Sequence, residues 1–255
     1  MREMINMRAL KLSYLKMRIA VASDLHLEFH RKVLKLPQGD VAILAGDLGY
    51  PTDPLYREQL ITIKEDFEAV FIVAGNHEYY CGLDMEEVNR QIEAICQEIG
   101  VYFLNRNSIE YKGYTFMGCT FWSNIPEEKM TQSRGYLKDF RKIKDMTPES
   151  YNELHQADLE WLQQEIVGKT NVIIVTHHLP TSTLIHEQYK GHPWSCCFVH
   201  ELDSMIQSPI LLWVCGHTHT HMQSEVNGVH CVVNPRGYPR EKSCYDENYI
   251  FTLNE

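Results

Sequence analysis

Five times along this chain of 255 residues, an apolar run ends in a short cluster of metal-binding side chains. The clusters are Asp24-Leu25-His26, Gly46-Asp47, Gly75-Asn76-His77-Glu78, His177 within Thr176-His177-His178, and Gly216-His217-Thr218-His219. The runs before them cover 18–22, 41–45, 70–74, 172–175 and 210–214, and they are continuously apolar rather than alternating. Such runs read as strands of a sheet buried on both faces. In open α/β sheets, ligands bind beyond the carboxyl ends of the strands. Every cluster falls at such an end, so together they predict one metal site assembled along one sheet edge.

The rest of the chain supplies layers for that sheet. Residues 84–99 place Met85, Val88, Ile92, Ile95 and Ile99 at helical spacing, with Asp84 as N-cap and Gly100 just past the end. Helical patterns also run over 54–66 and 149–167, and a further helix is expected near 198–207. Between 22 and 41 there is room only for a loop with one turn of helix. Runs 101–104, 109–111 and 114–118, separated by Asn, Lys and Gly turns, read as short hairpin-forming strands. Strands at 229–233 and 249–253 close the chain. Residues 123–150 are polar and irregular and hold Arg134, Lys138, Arg141, Lys142 and Lys144. They read as an insertion or cap near the site. The expected class is α/β: a four-layer αββα sandwich of two mixed β-sheets packed face to face, with helices outside. A single domain is expected over 17–255, with 1–16 as an N-terminal extension that has no role in the site.

Bulk properties narrow the function. The net charge of −10 argues against affinity for DNA or RNA backbones, which needs basic surface. No apolar run approaches the roughly 18 residues of a membrane span. The basic N-terminus lacks the apolar core of a secretory signal, which points to a cytoplasmic protein. The eight cysteines show neither a CxxC pair nor zinc-finger spacing. Cys96, Cys119, Cys215 and Cys231 lie in apolar periodic segments and are expected to be buried, reduced thiols.

The ligand chemistry goes further. In Asp24-x-His26 and His217-x-His219, an extended chain would turn both side chains to the same face. Gly46 and Gly75 permit a tight strand exit and close approach to a metal. Imidazole nitrogens mixed with carboxylate and amide oxygens suit Mn, Fe, Zn or Ni better than Ca or Mg. Two carboxylates, four imidazoles and one amide exceed what one metal needs. With one carboxylate bridging, they would serve two ions about 3.5–4 Å apart, an arrangement suited to in-line phosphoester hydrolysis.

The five blocks resemble the calcineurin-like metallophosphoesterase superfamily, whose pattern is D-x-H, G-D, G-N-H-[DE], H and G-H-x-H. The resemblance runs from about residue 18 to 235, in order, with every metal-binding position filled. It implies a dinuclear site in which Asp24, His26 and His219 bind the first metal. Asp47 would bridge, and Asn76, His177 and His217 would bind the second. Manganese is the first candidate for both ions, with iron, zinc, nickel or cobalt as alternatives. A bridging hydroxide would attack phosphorus in line. His77 would be catalytic rather than a ligand, protonating the leaving oxygen or stabilising developing charge, and Glu78 would orient its neighbours.

Departures from better-defined branches narrow the substrate. Gly46-Asp47-Leu48-Gly49-Tyr50 lacks the arginine of the protein Ser/Thr phosphatases, and Ala74 replaces the one before Gly75. His77 does not match the lipid A-precursor pyrophosphatases, and the DNA-binding additions of the repair nucleases are missing. What remains is similar to the small bacterial-type phosphoesterases, acting on a small phosphodiester or phosphomonoester. The competing classes are a non-catalytic metal-binding or interaction scaffold on the same fold, and a nuclease. Metal content discriminates the first and cleavage of single-stranded nucleic acid the second. No membrane or nucleic-acid partner is expected.

His178 is a candidate second layer or substrate contact, and His221 reads as a solvated loop residue. His30, His155, His186, His192, His200 and His230 read as surface or core. Arg134, Arg141 and Arg236 are candidate phosphate contacts. Loops 27–36, 79–83, 123–148 and 179–196 are expected to shape the pocket.

Overall fold

Eleven strands form two sheets in the computed structural model, which describes residues 16–253. Apart from Lys16, the expected N-terminal extension lies outside the described residues. The first sheet contains β1 (Met17–Ala22), β2 (Val41–Ala45), β3 (Ala69–Val73), β4 (Tyr102–Phe103) and β11 (Ile250–Leu253), in the order β11-β1-β2-β3-β4. The second contains β5 (Asn107–Tyr111), β6 (Tyr114–Cys119), β7 (Val172–Thr176), β8 (Ile210–Cys215), β9 (Met222–Val226) and β10 (Val229–Val233), in the order β5-β6-β7-β8-β10-β9. Both sheets are mixed: β1-β2-β3-β4 and β6-β7-β8-β10 run parallel, and β11, β5 and β9 pair antiparallel at the edges.

Alternate residues of each central strand enter different cores, which is why the strands are apolar without a break. Ile19, Val21, Val41, Ile43, Phe71 and Val73 face Phe116, Ile173, Val175, Leu212, Val214 and Val232 between the sheets. The other face of the first sheet, with Ala20, Ala42, Leu44, Val70 and Ile72, packs under α2 (Pro54–Lys64) and α3 (Met85–Ile99). The outer face of the second sheet, with Met117, Ile174, Trp213 and Cys231, is covered by Leu159, Trp161 and Leu162 of α6 (Pro148–Glu165) and by apolar residues of the 179–206 loop. The layers are helix, sheet, sheet, helix. Among the described residues no helix is long and apolar enough to cross a membrane.

Capping sets the helix ends. The Asp53 side chain accepts from Leu55 N–H with Pro54 at the first helical position, and Asp84 accepts from Glu87 N–H. Thr147 and Ser150 cap each other reciprocally at the start of α6. A single turn, α1 (Leu27–His30), follows the first cluster. Within 123–150 lie two short helices, α4 (Met130–Tyr136) and α5 (Asp139–Lys142).

Two expectations about elements are corrected, and one strand is added. No helix forms near 198–207. The N–H groups of His200 and Leu202 bond to the carbonyls of Leu179 and Pro180, and Val199 bridges Leu179, so the segment is tied into the preceding loop. The run at 101–104 does not join a hairpin with its successors, because β4 pairs in parallel with β3 and the chain then crosses to the other sheet. The β9 strand, absent from the sequence reading, pairs with β10 across Asn227-Gly228, a two-residue turn in which both residues have positive φ.

Phe71 and Phe116 stack across the sheet interface, with centroids 3.8 Å apart and planes 2° from parallel. Phe116→Ala should cost about 3–5 kcal/mol in urea unfolding, because the tight interface cannot collapse onto the gap. A loss under about 1 kcal/mol would show that the sheets do not depend on this contact.

Candidate metal centre

The face-to-face sheets bring the carboxyl ends of β1, β2 and β3 against those of β7 and β8. The five clusters leave from these ends. The backbone there is not extended: Asp24, His26, Asp47, His217 and His219 all have positive φ, between 42° and 71°. This overturns the extended geometry expected for Asp24-x-His26 and His217-x-His219. The side chains converge because the chain coils in left-handed turns. A non-glycine residue there costs on the order of 1 kcal/mol, and Asp, Asn and His tolerate it best. Such a concentration of unfavourable conformers at one place is typical of functional sites. Glycine is required where these turns meet. A Cβ on Gly75 would lie 2.2 Å from Asp47 Oδ1, and one on Gly46, at φ 84°, 2.5 Å from His177 Nδ1.

Asp24, His26, Asp47 and His219 each bring a ligand atom to within 4.8 Å of the others. His26 Nε2 lies 2.9 Å from His219 Nε2 and 3.7 Å from Asp47 Oδ2, and His219 Nε2 lies 3.4 Å from Asp24 Oδ1. A second group adjoins it. His177 Nε2 is 3.1 Å from Asn76 Oδ1, 3.2 Å from His217 Nδ1 and 3.4 Å from Asp47 Oδ1. Asp47 therefore turns one oxygen to each group. All seven residues are buried or nearly so.

Hydrogen bonds fix which nitrogens point inward. The Nδ1–H of His177 donates to the Ala45 carbonyl at 2.8 Å, and the Nδ1–H of His219 to Glu241 at 2.7 Å. The Nδ1 of His26 faces the Glu28 carboxylate at 3.0 Å. In the neutral rings the Nε2 atoms are thereby acceptors aimed at other acceptors, so a proton or a cation must lie between them. His217 Nε2 is buried with no hydrogen-bond partner. The donor set fits a divalent transition metal, since two ligands at about 2.1 Å from one ion sit roughly 3 Å apart.

Electrostatics agree. Burial opposes charge on Asp24 and Asp47, but His219 beside Asp24 and His177 beside Asp47 hold both carboxyls below the usual range. Burial likewise opposes charge on the imidazoles. Asp47 nevertheless raises His177 to about 9, and Asp24 with Glu241 raises His219 to about 10. Burial, reinforced by His177, lowers His217 to about 3. Protons thus occupy positions that a cation would take.

His77 stands beside the two groups. Its backbone N–H donates to Asp47 Oδ1 at 2.8 Å, its Nδ1 is 2.8 Å from Glu28 Oε1, and its Nε2 is 3.0 Å from the Tyr238 hydroxyl. Glu78 accepts from the N–H groups of Gly75, Leu48 and Asp47 at 2.7, 2.7 and 3.1 Å, joining two of the cluster loops.

A cavity of about 400 Å³ opens over Asp47, Asn76, His77, His217 and His219. Its walls include Tyr80, residues 136–139, parts of 185–198, Tyr238 and Glu241, with Lys138 as the one Lys or Arg among the described residues. Three of the four expected loops contribute, and 27–36 does not. Arg134 and Arg141 do not line it; Arg134 pairs with Glu149 at 3.0 Å. Arg236 points its guanidinium at the Lys32 carbonyl, 3.2 Å away. His186 is partly exposed and His192 exposed, and both also line the cavity. His178 is buried against His217, with ring centroids 4.1 Å apart, and does not reach the cavity. His221 bonds to Asn234 at 2.8 Å and is only partly exposed, not a freely solvated residue.

Sequence reasoning missed Glu28, Asp139, Tyr238 and Glu241. Asp139 Oδ1 accepts from Asn76 Nδ2–H at 2.9 Å and from Tyr80 O–H at 2.6 Å. Glu28 alone had a local signal, since it lies two residues beyond His26 and directly before Phe29 in the short helical turn.

Comparison with known proteins is consistent with this geometry. A family model described as calcineurin-like phosphoesterase matches residues 17–221. An uncharacterized protein of Acanthamoeba polyphaga mimivirus is 27% identical, covering 88% of this chain and 92% of its own length. The crystal structure of phosphopantetheinyl hydrolase from Mycobacterium tuberculosis superposes with a TM-score of 0.65 at 18% identity, covering 87% of this chain and 90% of that one, and so shares the fold.

The raised imidazoles set a pH dependence. Their stabilising ion pairs are complete below the unfolded value near 6.5 and are lost as pH rises through about 9 and about 10. With metal removed by EDTA, the urea midpoint should therefore fall between pH 6.5 and 10. A flat or rising midpoint would refute the pairing.

Proposed function

The chain belongs to the calcineurin-like phosphoesterase family, and we propose that it hydrolyses a small phosphodiester or phosphomonoester with two divalent ions. One observation carries the reading: metal-ligating atoms face one another at 2.9 to 3.7 Å in two groups that share Asp47. Asp24, His26 and His219 would hold one ion, Asn76, His177 and His217 the other, and Asp47 both. Manganese is the first candidate, with iron, zinc, nickel or cobalt as alternatives, because the donors mix imidazole with oxygen. When bound, such ions supply Lewis acidity at the phosphoryl group and acidify the attacking water.

The protein's own groups do the rest. His77 reaches the cavity from beside Asp47, where it can hydrogen-bond to the oxygen that leaves phosphorus. Its backbone bond to Asp47 keeps that position in register with the bridging carboxylate. Glu78 fixes the loops carrying Asp47 and Asn76 by accepting N–H bonds from both strand ends. Lys138, lining the cavity wall, offers a compensating charge to a phosphate oxygen. A volume of about 400 Å³ suits a small phosphorylated molecule.

Protein loaded with manganese should cleave bis-p-nitrophenyl phosphate or p-nitrophenyl phosphate, and EDTA should abolish the activity. Asp47→Asn and His77→Ala should each lower kcat by about 10²–10⁴. The proposal is sunk if no turnover is seen with Mn, Ni, Co, Zn or Fe.

A further inference from the structure

We infer that Glu28, which is none of the seven candidate ligands, is a positioning residue that sets the tautomer and ring orientation of both His26 and His77. The inference rests on the reading above for what those two imidazoles do, but not for how they are held.

Glu28 sits in α1, the single turn that follows the first cluster. Its side chain is 4% exposed. One oxygen, Oε1, lies 3.0 Å from His26 Nδ1 and 2.8 Å from His77 Nδ1. The other, Oε2, is buried with no hydrogen-bond partner. It abuts Gly49, where a Cβ would come within 3.2 Å of it. Among the described residues, the hydrogen-bond partners of this carboxylate are these two imidazoles. A buried carboxylate with no arginine, lysine or backbone N–H beside it is costly, so a role confined to packing would be better filled by an apolar side chain.

An ionised carboxylate only accepts hydrogen bonds, so each facing Nδ1 carries the proton. In a neutral imidazole the lone pair is then on Nε2. For His26 that lone pair points at Asp47 and His219, as a ligand atom must. For His77 it points at the Tyr238 hydroxyl on the cavity wall, so Nε2 is the nitrogen that must take up a proton before the ring can donate to a leaving oxygen. The two rings meet edge to face with centroids 4.5 Å apart, so one oxygen reaches both without moving either. A ligand and a leaving-group partner are thus oriented by one atom, in the manner of carboxylates behind metal-binding histidines.

The test reads tautomers directly. Imidazole ¹⁵N spectra of the metal-free wild-type protein at mildly alkaline pH should show Nδ1–H at both His26 and His77. Glu28→Ala should shift both toward Nε2–H and weaken manganese binding about 10–100-fold by titration. Glu28→Gln, which keeps an acceptor oxygen of the same reach, should retain the Nδ1–H form and bind manganese more tightly than Glu28→Ala. An Nε2–H tautomer at either histidine in the wild type overturns the inference, whatever the variants do. So does an unchanged tautomer in Glu28→Ala. Wild-type protein with the expected tautomers but no phosphoesterase activity would instead overturn the proposed function and leave the positioning role standing.

Discussion

Lone pairs pointed at one another across about three ångströms are the condition around which this molecule is built. His26 faces His219, and His177 faces Asn76 and His217, with His26, Asn76 and His177 buried and the other two rings partly so. At low dielectric such a cluster is unstable unless a proton or a cation sits among its members. The rest of the structure accommodates that demand. Two sheets packed on each other bring five strand ends together. Left-handed turns at five of the seven residues aim the side chains inward, and Gly46 and Gly75 leave the space these turns need. Acceptors outside, Ala45, Glu241 and Glu28, face the Nδ1 atoms of His177, His219 and His26 and leave their Nε2 atoms turned inward. The free energy spent on strained backbone and buried charge is stability given up for a preorganised centre.

Much of this was legible in the sequence, for identifiable reasons. A strand buried on both faces admits no polar residue, so 41–45 and 172–175 announce themselves, and the first polar side chain after each must lie at its end. Asp84 and Gly100 bracket α3 because a cap needs a side-chain acceptor at one end and a left-handed residue at the other. The order of the five blocks located the centre. The local backbone did not follow, because Asp24-x-His26 can converge through an extended chain or through left-handed turns. Composition does not choose between them.

What escaped reading lies in segments without period. The 198–207 segment has enough apolar residues for a helix, yet the N–H groups of His200 and Leu202 bond to a loop about twenty residues earlier in the chain and the rest make only local turns. Single-sequence periodicity cannot see that competition. β9 is a half-exposed edge strand, and its one strong signal, Asn227-Gly228, is a turn signal rather than a strand signal. Tyr238 and Glu241 reach the centre from the C-terminal stretch because Arg236 and Gly237 bond to the carbonyls of Ser23 and Asp24. Sequence distance hides this, since the contacts are long-range and irregular.

Asn76 carries an amide, and an amide has two unlike ends. The hydrogen-bond network sends its nitrogen to Asp139 and Tyr80, and so its oxygen toward His177. Asp139 belongs to α5, a four-residue helix in a polar segment that otherwise supplies cavity wall. A stretch of this kind is where insertions, deletions and drift are most easily tolerated. Here that freedom stops at one position. A chain that exchanged this wall for another, to admit a different molecule, would have to keep a carboxylate at the same place. Otherwise the amide could turn its hydrogens to the centre, and the centre would lose an acceptor without losing a residue.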